Sequence, residues 1–152
     1  MSNGTPDFQF SHKLRVRFAE TDLQGFVFNP NYLMYCDVAW TEYFRALGFT
    51  YDAMVQTGVD SVLKSTTLEF ESPARFDEIL ILRARVSKIG NTSLSFDFEI
   101  REETQERLVA TVSSTYVFVD SNTTLPIAVP DNIRALIGEY EHRDFSRSQG
   151  SA

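Results

Sequence analysis

Residues 29–48, NPNYLMYCDVAWTEYFRALG, decide the fold. Apolar side chains recur at Tyr32, Tyr35, Cys36, Ala39, Trp40, Tyr43, Phe44 and Leu47, in the steps of three and four that mark one face of a helix. Asn29 suits the N-cap, and Pro30 suits the first helical position, where no backbone N–H is required. Gly48 suits the left-handed residue that stops a helix. Leu33, Met34 and Val38 widen the apolar stripe, so the helix from Pro30 to Leu47 is expected to be enclosed rather than laid on a surface.

On either side the period changes. HKLRVRF (12–18) alternates Leu14, Val16 and Phe18 with basic residues, the pattern of a half-buried strand. A short helix over 51–56, stopped at Gly58, leads into four extended segments. The first covers 59–71, with Leu68 and Phe70 on one face; ILILRARVSKI covers 79–89 and TSLSFDFEIR covers 92–101. LVATVSSTYVFV (108–119) has mixed faces and reads as partly covered on both sides. Gly90-Asn91 reads as a two-residue hairpin turn, and residues 130–141 as a closing helix. Strand and helix do not alternate as a doubly wound sheet requires, so the expected class is α+β, an antiparallel sheet wrapped around the long helix.

The 152 residues, with 43% hydrophobic, fit one domain over 8–141, with 1–7 and 142–152 expected to be mobile tails. Cys36 is the lone cysteine, which excludes an internal disulfide and leaves no metal-ligand spacing. The N-terminal residues lack a charged leader with an apolar core and no run is long enough to span a bilayer, so a cytoplasmic protein without a membrane partner is expected. A net charge of -7 argues against nucleic acid, which needs a concentrated basic face. It leaves room for a small phosphorylated ligand where a few cations gather, and Arg75, Arg83, Arg85 and Lys88 lie close together in sequence.

Two stretches carry a resemblance. VRFAETDLQGFVFNPNYLMYCDVAWTEYFRALGF (16–49) and LEFESPARFDEILILRARVSKIGNTSLSFDFEI (68–100) are similar to the hot-dog-fold acyl-CoA thioesterases of the 4-hydroxybenzoyl-CoA thioesterase-like branch. The resemblance implies about five strands around the central helix, subunits paired edge to edge as a homodimer or homotetramer, and active sites between subunits. It implies Asp22 as general base or nucleophile and the backbone N–H at Asn29 as donor to the thioester oxygen. Many relatives carry His where this chain has Asn29, a change that keeps the backbone donor and removes an imidazole. The implied substrate is an acyl-CoA; CoA is part of it, and no separate cofactor is implied.

The residue types suit that chemistry. An ionised carboxylate activates water or attacks directly, a thiolate leaves easily, and N–H groups at a helix start stabilise the growing oxyanion. Taken alone, Asp22 also reads as a loop carboxylate that satisfies local backbone donors, and Gly25 as either a turn residue or a point of close ligand approach. Tyr32 reads as core or as acyl-pocket lining. Arg75, Lys88 and Asn91 are the candidates for the phosphates and pantetheine arm. Another hot-dog branch draws its acid from the central helix, which makes Asp37 and Glu42 rivals, although Glu42 also reads as an ion-pair partner of Arg45. A hydratase of similar scaffold pairs Asp with His, and His12 and His142 are poorly placed for that. An acyl-carrier-protein thioesterase and a non-catalytic acyl-CoA or lipid-binding module remain the alternatives.

Overall fold

The computed structural model describes residues 7–147. The outer parts of both expected tails, 1–6 and 148–152, lie outside the described residues. The strands β1 (Phe10–Arg15), β2 (Val59–Phe70), β3 (Ile79–Ile89), β4 (Ser93–Glu102) and β5 (Arg107–Asp120) form one antiparallel sheet. Their order is β1-β3-β4-β5-β2, which leaves β1 and β2 as edges. The long helix α1 (Asn31–Ala46) packs on β3 and β1, α2 (Tyr51–Gln56) packs beside β2, and α3 (Asp131–Glu141) rests on β3.

The periodicity accounts for the core. On β3 the buried apolar residues are Leu80, Leu82, Ala84 and Val86, and on β4 Leu94, Phe96, Phe98 and Ile100, each set on alternate positions. From α1, Tyr32, Tyr35, Cys36, Ala39, Trp40, Tyr43 and Phe44 point inward. Tyr43 stands at the centre, edge-on to Phe96 at 5.0 Å and to Phe10 at 5.6 Å. Its hydroxyl donates to Glu141 Oε1 at 2.6 Å, and the same oxygen accepts the Val86 N–H at 3.1 Å, so one carboxylate ties α1, α3 and β3 together.

Several expectations are corrected. β1 ends at Arg15, and Phe18, expected in its buried face, is 77% exposed in a 3-10 turn over Phe18–Glu20. The turn forms because the Glu20 carboxylate reaches back to the Arg17 N–H at 2.9 Å, pulling the chain out of the sheet. Helix α1 starts one residue later than expected, with Pro30 rather than Asn29 as N-cap and no side-chain cap. Its first N–H groups bond three residues back instead, Tyr32 to the Asn29 carbonyl and Leu33 to that of Pro30.

The helix is not enclosed all round: Met34, Asp37, Thr41 and Arg45 face outward, and the sheet covers one side only. The hairpin turn falls on Asn91 and Thr92, because the Gly90 N–H already pairs with the Ser93 carbonyl at 2.8 Å. On β5, Val109 is an extra residue between the Ile100–Ala110 and Arg101–Leu108 pairs, a bulge that buries Val109 and Ala110 together. Phe70 does not share the core with Leu68; it lies half-exposed at the end of the edge strand.

The chain does not leave the body after α3. His142 takes a left-handed conformation at φ 56, and Phe145 folds back into the core, its carbonyl held by Arg134 Nη1 at 3.0 Å. Of residues 142–147, read as tail from their polarity, Phe145 is thus anchored while the other five stay exposed.

Candidate active site

The loop between β1 and α1 is a closed turn. Asp22 N–H donates to the Phe26 carbonyl at 2.8 Å, and Gly25 N–H to the Asp22 carbonyl at 2.9 Å. Gly25 adopts φ 79, a conformation that a side chain would strain. Asp22 Oδ1 accepts the N–H of Gln24 at 2.8 Å and of Phe26 at 3.3 Å, the local turn role that Asp often fills. Among the described residues Oδ2 has no partner.

The turn is fixed from both sides. Val27 N–H donates to the Ala74 carbonyl at 2.8 Å, and Phe28 N–H to the Glu20 carbonyl at 2.9 Å. Asn31 Nδ2 donates to that same Glu20 carbonyl at 2.8 Å. The chain thus passes from Asp22 to the start of α1 with little freedom. Asn29 is exposed there, and among the described residues its N–H donates to no acceptor.

Asp22, Asn29 and Tyr32 line one cavity of about 290 Å³, together with Gln24, Phe26, Phe70 and Glu71. Tyr32 is buried; its ring meets Phe70 edge-on at 5.4 Å, and its oxygen accepts the Ala74 N–H at 3.1 Å. Burial pushes the Tyr32 hydroxyl's pKa up, against the opposing pull of that hydrogen bond. It is therefore a neutral wall at physiological pH, not a source of charge.

The cation candidates separate. Arg75 lies on the rim: its backbone bridges Phe26, and its guanidinium sits 4.9 Å from the centre of the Phe26 ring. Among the described residues it forms no ion pair with a carboxylate. Lys88 and Asn91 lie at the other end of the 11-residue β3, roughly 30 Å along the strand from the loop. The structure thus gathers Asp22, Gly25, Asn29, Tyr32 and Arg75 and leaves Lys88 and Asn91 apart within the subunit. Lys88 is exposed, and Asn91 gives its carbonyl to the Val129 N–H at 2.8 Å.

The rivals stand elsewhere. Asp37 is on the outward side of α1, and Glu42 pairs with Arg45 at 3.2 Å, the contact its spacing suggests. His12 lies within β1 opposite Leu82, and His142 caps α3. A larger cavity of about 520 Å³ between α3 and residues 143–147 contains none of these candidates. Its Arg134, Arg143 and Arg147 already bond backbone carbonyls.

The sequence profile of the thioesterase-like superfamily matches residues 16–137, which includes the loop, α1 and all of β2 to β5. The chain belongs to this superfamily. It is similar to an acyl-CoA thioesterase, YbgC, from Haemophilus influenzae: the two are 28% identical over 130 residues, 85% of this chain and 94% of that one. An acyl-acyl carrier protein thioesterase, ATL3, from Arabidopsis thaliana is 26% identical over 87% of this chain and 69% of its own length. A 1,4-dihydroxy-2-naphthoyl-CoA thioesterase from Synechocystis superposes with a TM-score of 0.77 at 19% identity, covering 84% of this chain and 94% of that one. The sheet order with α1 across it is the hot-dog fold, as the resemblance implied. In this thioesterase-like chain, Phe26, Phe70 and Glu71 are cavity residues that sequence reasoning did not single out.

Proposed function

We propose that this protein hydrolyses acyl-CoA thioesters to the free acid and CoA, with Asp22 as general base or nucleophile and the Asn29 N–H as the donor to the carbonyl. As a member of the thioesterase-like superfamily it is a thioester hydrolase. The observation that carries the finer reading is a single cavity lined by Asp22 and Asn29, of which one carboxylate oxygen and the backbone N–H have no partner among the described residues.

In the water-activating route, Asp22 Oδ2 takes a proton from water as the oxygen bonds to the thioester carbon. Negative charge gathers on the carbonyl oxygen, where the Asn29 N–H and the positive end of α1 stabilise it. The tetrahedral species collapses, the carbon–sulfur bond breaks, and the thiolate takes the proton that Asp22 holds. In the alternative route the Asp22 carboxylate attacks the carbonyl carbon, the carbon–sulfur bond breaks as the thiolate leaves, and water then opens the mixed anhydride, which releases the free acid and restores the carboxylate. Phe26, Tyr32 and Phe70 offer apolar surface to the acyl group, and Arg75 on the rim offers charge to the phosphates.

A homodimer joined along β2 fits this reading. The outer side of that 12-residue strand is unpaired among the described residues, with Val62 and Leu63 nearly half exposed. A second copy there supplies a route by which Lys88 or Asn91 of another subunit reaches the ligand.

The test is a panel of acyl-CoA thioesters with released thiol as readout. Turnover of at least one acyl-CoA above the uncatalysed rate is expected; no thiol release from any of them refutes the function. The similarity to the plant enzyme favours a second reading, an acyl carrier protein as the thiol. Acylated carrier protein belongs in the same panel, and the net charge of -7 predicts the slower reaction there, since the carrier is acidic too.

Asn29→Ala separates the backbone from the side chain. Asn29 is not the N-cap of α1, so kcat is expected to stay within about threefold of the parent, because the N–H survives the change. A loss comparable to that of Asp22→Asn would assign the chemistry to the amide side chain instead.

A further inference from the structure

We propose that Glu20 is a positioning residue, whose buried carboxylate and backbone carbonyl tie the turn carrying Asp22 to the start of α1, just beyond the Asn29 N–H. The proposal rests on the reading of Asp22 and Asn29 as the reacting pair.

Glu20 is 6% exposed, and each of its acceptors is taken. Oε1 accepts the Arg17 N–H at 2.9 Å and the Tyr35 hydroxyl at 3.0 Å; Oε2 accepts Arg17 Nε at 2.7 Å. The backbone carbonyl accepts the Phe28 N–H at 2.9 Å and Asn31 Nδ2 at 2.8 Å. One residue therefore grips the chain before the catalytic turn, the chain after it, and the inward face of α1 one turn beyond its start. Asp22 follows Glu20 by two positions, and Asn29 lies between Phe28 and Asn31.

Burial pulls the Glu20 pKa up, but the hydrogen bonds from Arg17 and Tyr35 outweigh it and leave the carboxyl below its ordinary range. The group is ionised at neutral pH, and its bonds are charge-assisted, roughly twice as strong as neutral ones. A buried ionised carboxylate is a poor way to gain stability, because an apolar residue of similar volume often does as well. Its value here is geometric. Two groups must meet one carbonyl carbon and its oxygen, and a displacement of about 1 Å costs on the order of hundredfold in rate.

The experiment compares Glu20→Gln and Tyr35→Phe with the parent and with Asp22→Asn. It reads kcat and KM on the best acyl-CoA, the thermal unfolding midpoint, and the 15N amide shifts of Gln24 and Asn29. Glu20→Gln is expected to lower kcat on the order of tenfold to hundredfold, to leave KM within about threefold, and to move both amide signals. Tyr35→Phe moves them in the same direction by less. A folded Glu20→Gln protein with kcat within about twofold of the parent, or with both amides unmoved, overturns the proposal. If Glu20→Gln fails to fold, Tyr35→Phe decides by the same criteria, since it removes one hydroxyl and leaves the Arg17 pair. Parent-like turnover in Asp22→Asn would sink the assignment of Asp22 instead, and the amide shifts would still decide whether Glu20 positions the loop.

Discussion

Asp22→Asn is expected to lower kcat/KM on the order of a thousandfold while leaving the fold in place. The fold should survive because the Asn Oδ1 can accept the same Gln24 and Phe26 N–H groups that now bond the carboxylate. What the substitution removes is Oδ2 as an acceptor of protons or a nucleophile, replacing it with an NH2 group that can do neither. Residual turnover is expected from the Asn29 N–H and from binding alone. The readout is thiol release under saturating and limiting acyl-CoA, alongside circular dichroism to show the folded state. A parent-like rate in the folded variant would remove the carboxylate from the mechanism. Glu42→Gln is the companion, and because Glu42 only pairs with Arg45 at the surface, it should leave the rate unchanged.

The largest loss of stability is expected from Phe96→Ala. Phe96 is fully buried, stacks on Phe98 at 5.4 Å, and meets Tyr43 and Tyr116 edge-on at 5.0 and 5.8 Å. Truncation removes the contact surface shared by α1, β4 and β5 and leaves a void walled by rigid rings that cannot collapse into it. About 3–5 kcal/mol should be lost, a large part of the roughly 5–15 kcal/mol typical of a domain. Urea unfolding should show a lower midpoint with an unchanged slope. A loss below about 1 kcal/mol would mean that this ring cluster does not organise the core.

Where two physical signals agreed, the sequence was enough. The α1 face from Tyr32 to Phe44 and the alternate residues of β3 and β4 are buried as their spacing required, because a helix or strand against a sheet has only one face to hide. Asp22 in its turn and Asn29 beside the helix start line one cavity. The pattern of Leu14, Val16 and Phe18 failed at its last member, since alternation cannot register that Glu20 captures Arg17 and bends the chain away. Phe145 was invisible for a related reason: one aromatic in a polar stretch carries no period, and only the groove beside Arg134 gives it a place. Glu20 was passed over because the acid two positions later fits the family motif; the Arg three residues ahead of it was the available clue. Lys88 and Asn91 stand apart from Arg75 within the subunit, because a strand as long as β3 carries its ends to opposite poles.

Leu63 and Ser65 flank a break in register on β2, with Lys64 displaced between them. Any extended polypeptide that joins this rim must reproduce the kink to continue past it, so straight foreign segments can zip only part of its length. An ammonium group at the bend adds a desolvation toll for greasy intruders. The irregular rim thus works against indiscriminate fibril growth along the sheet.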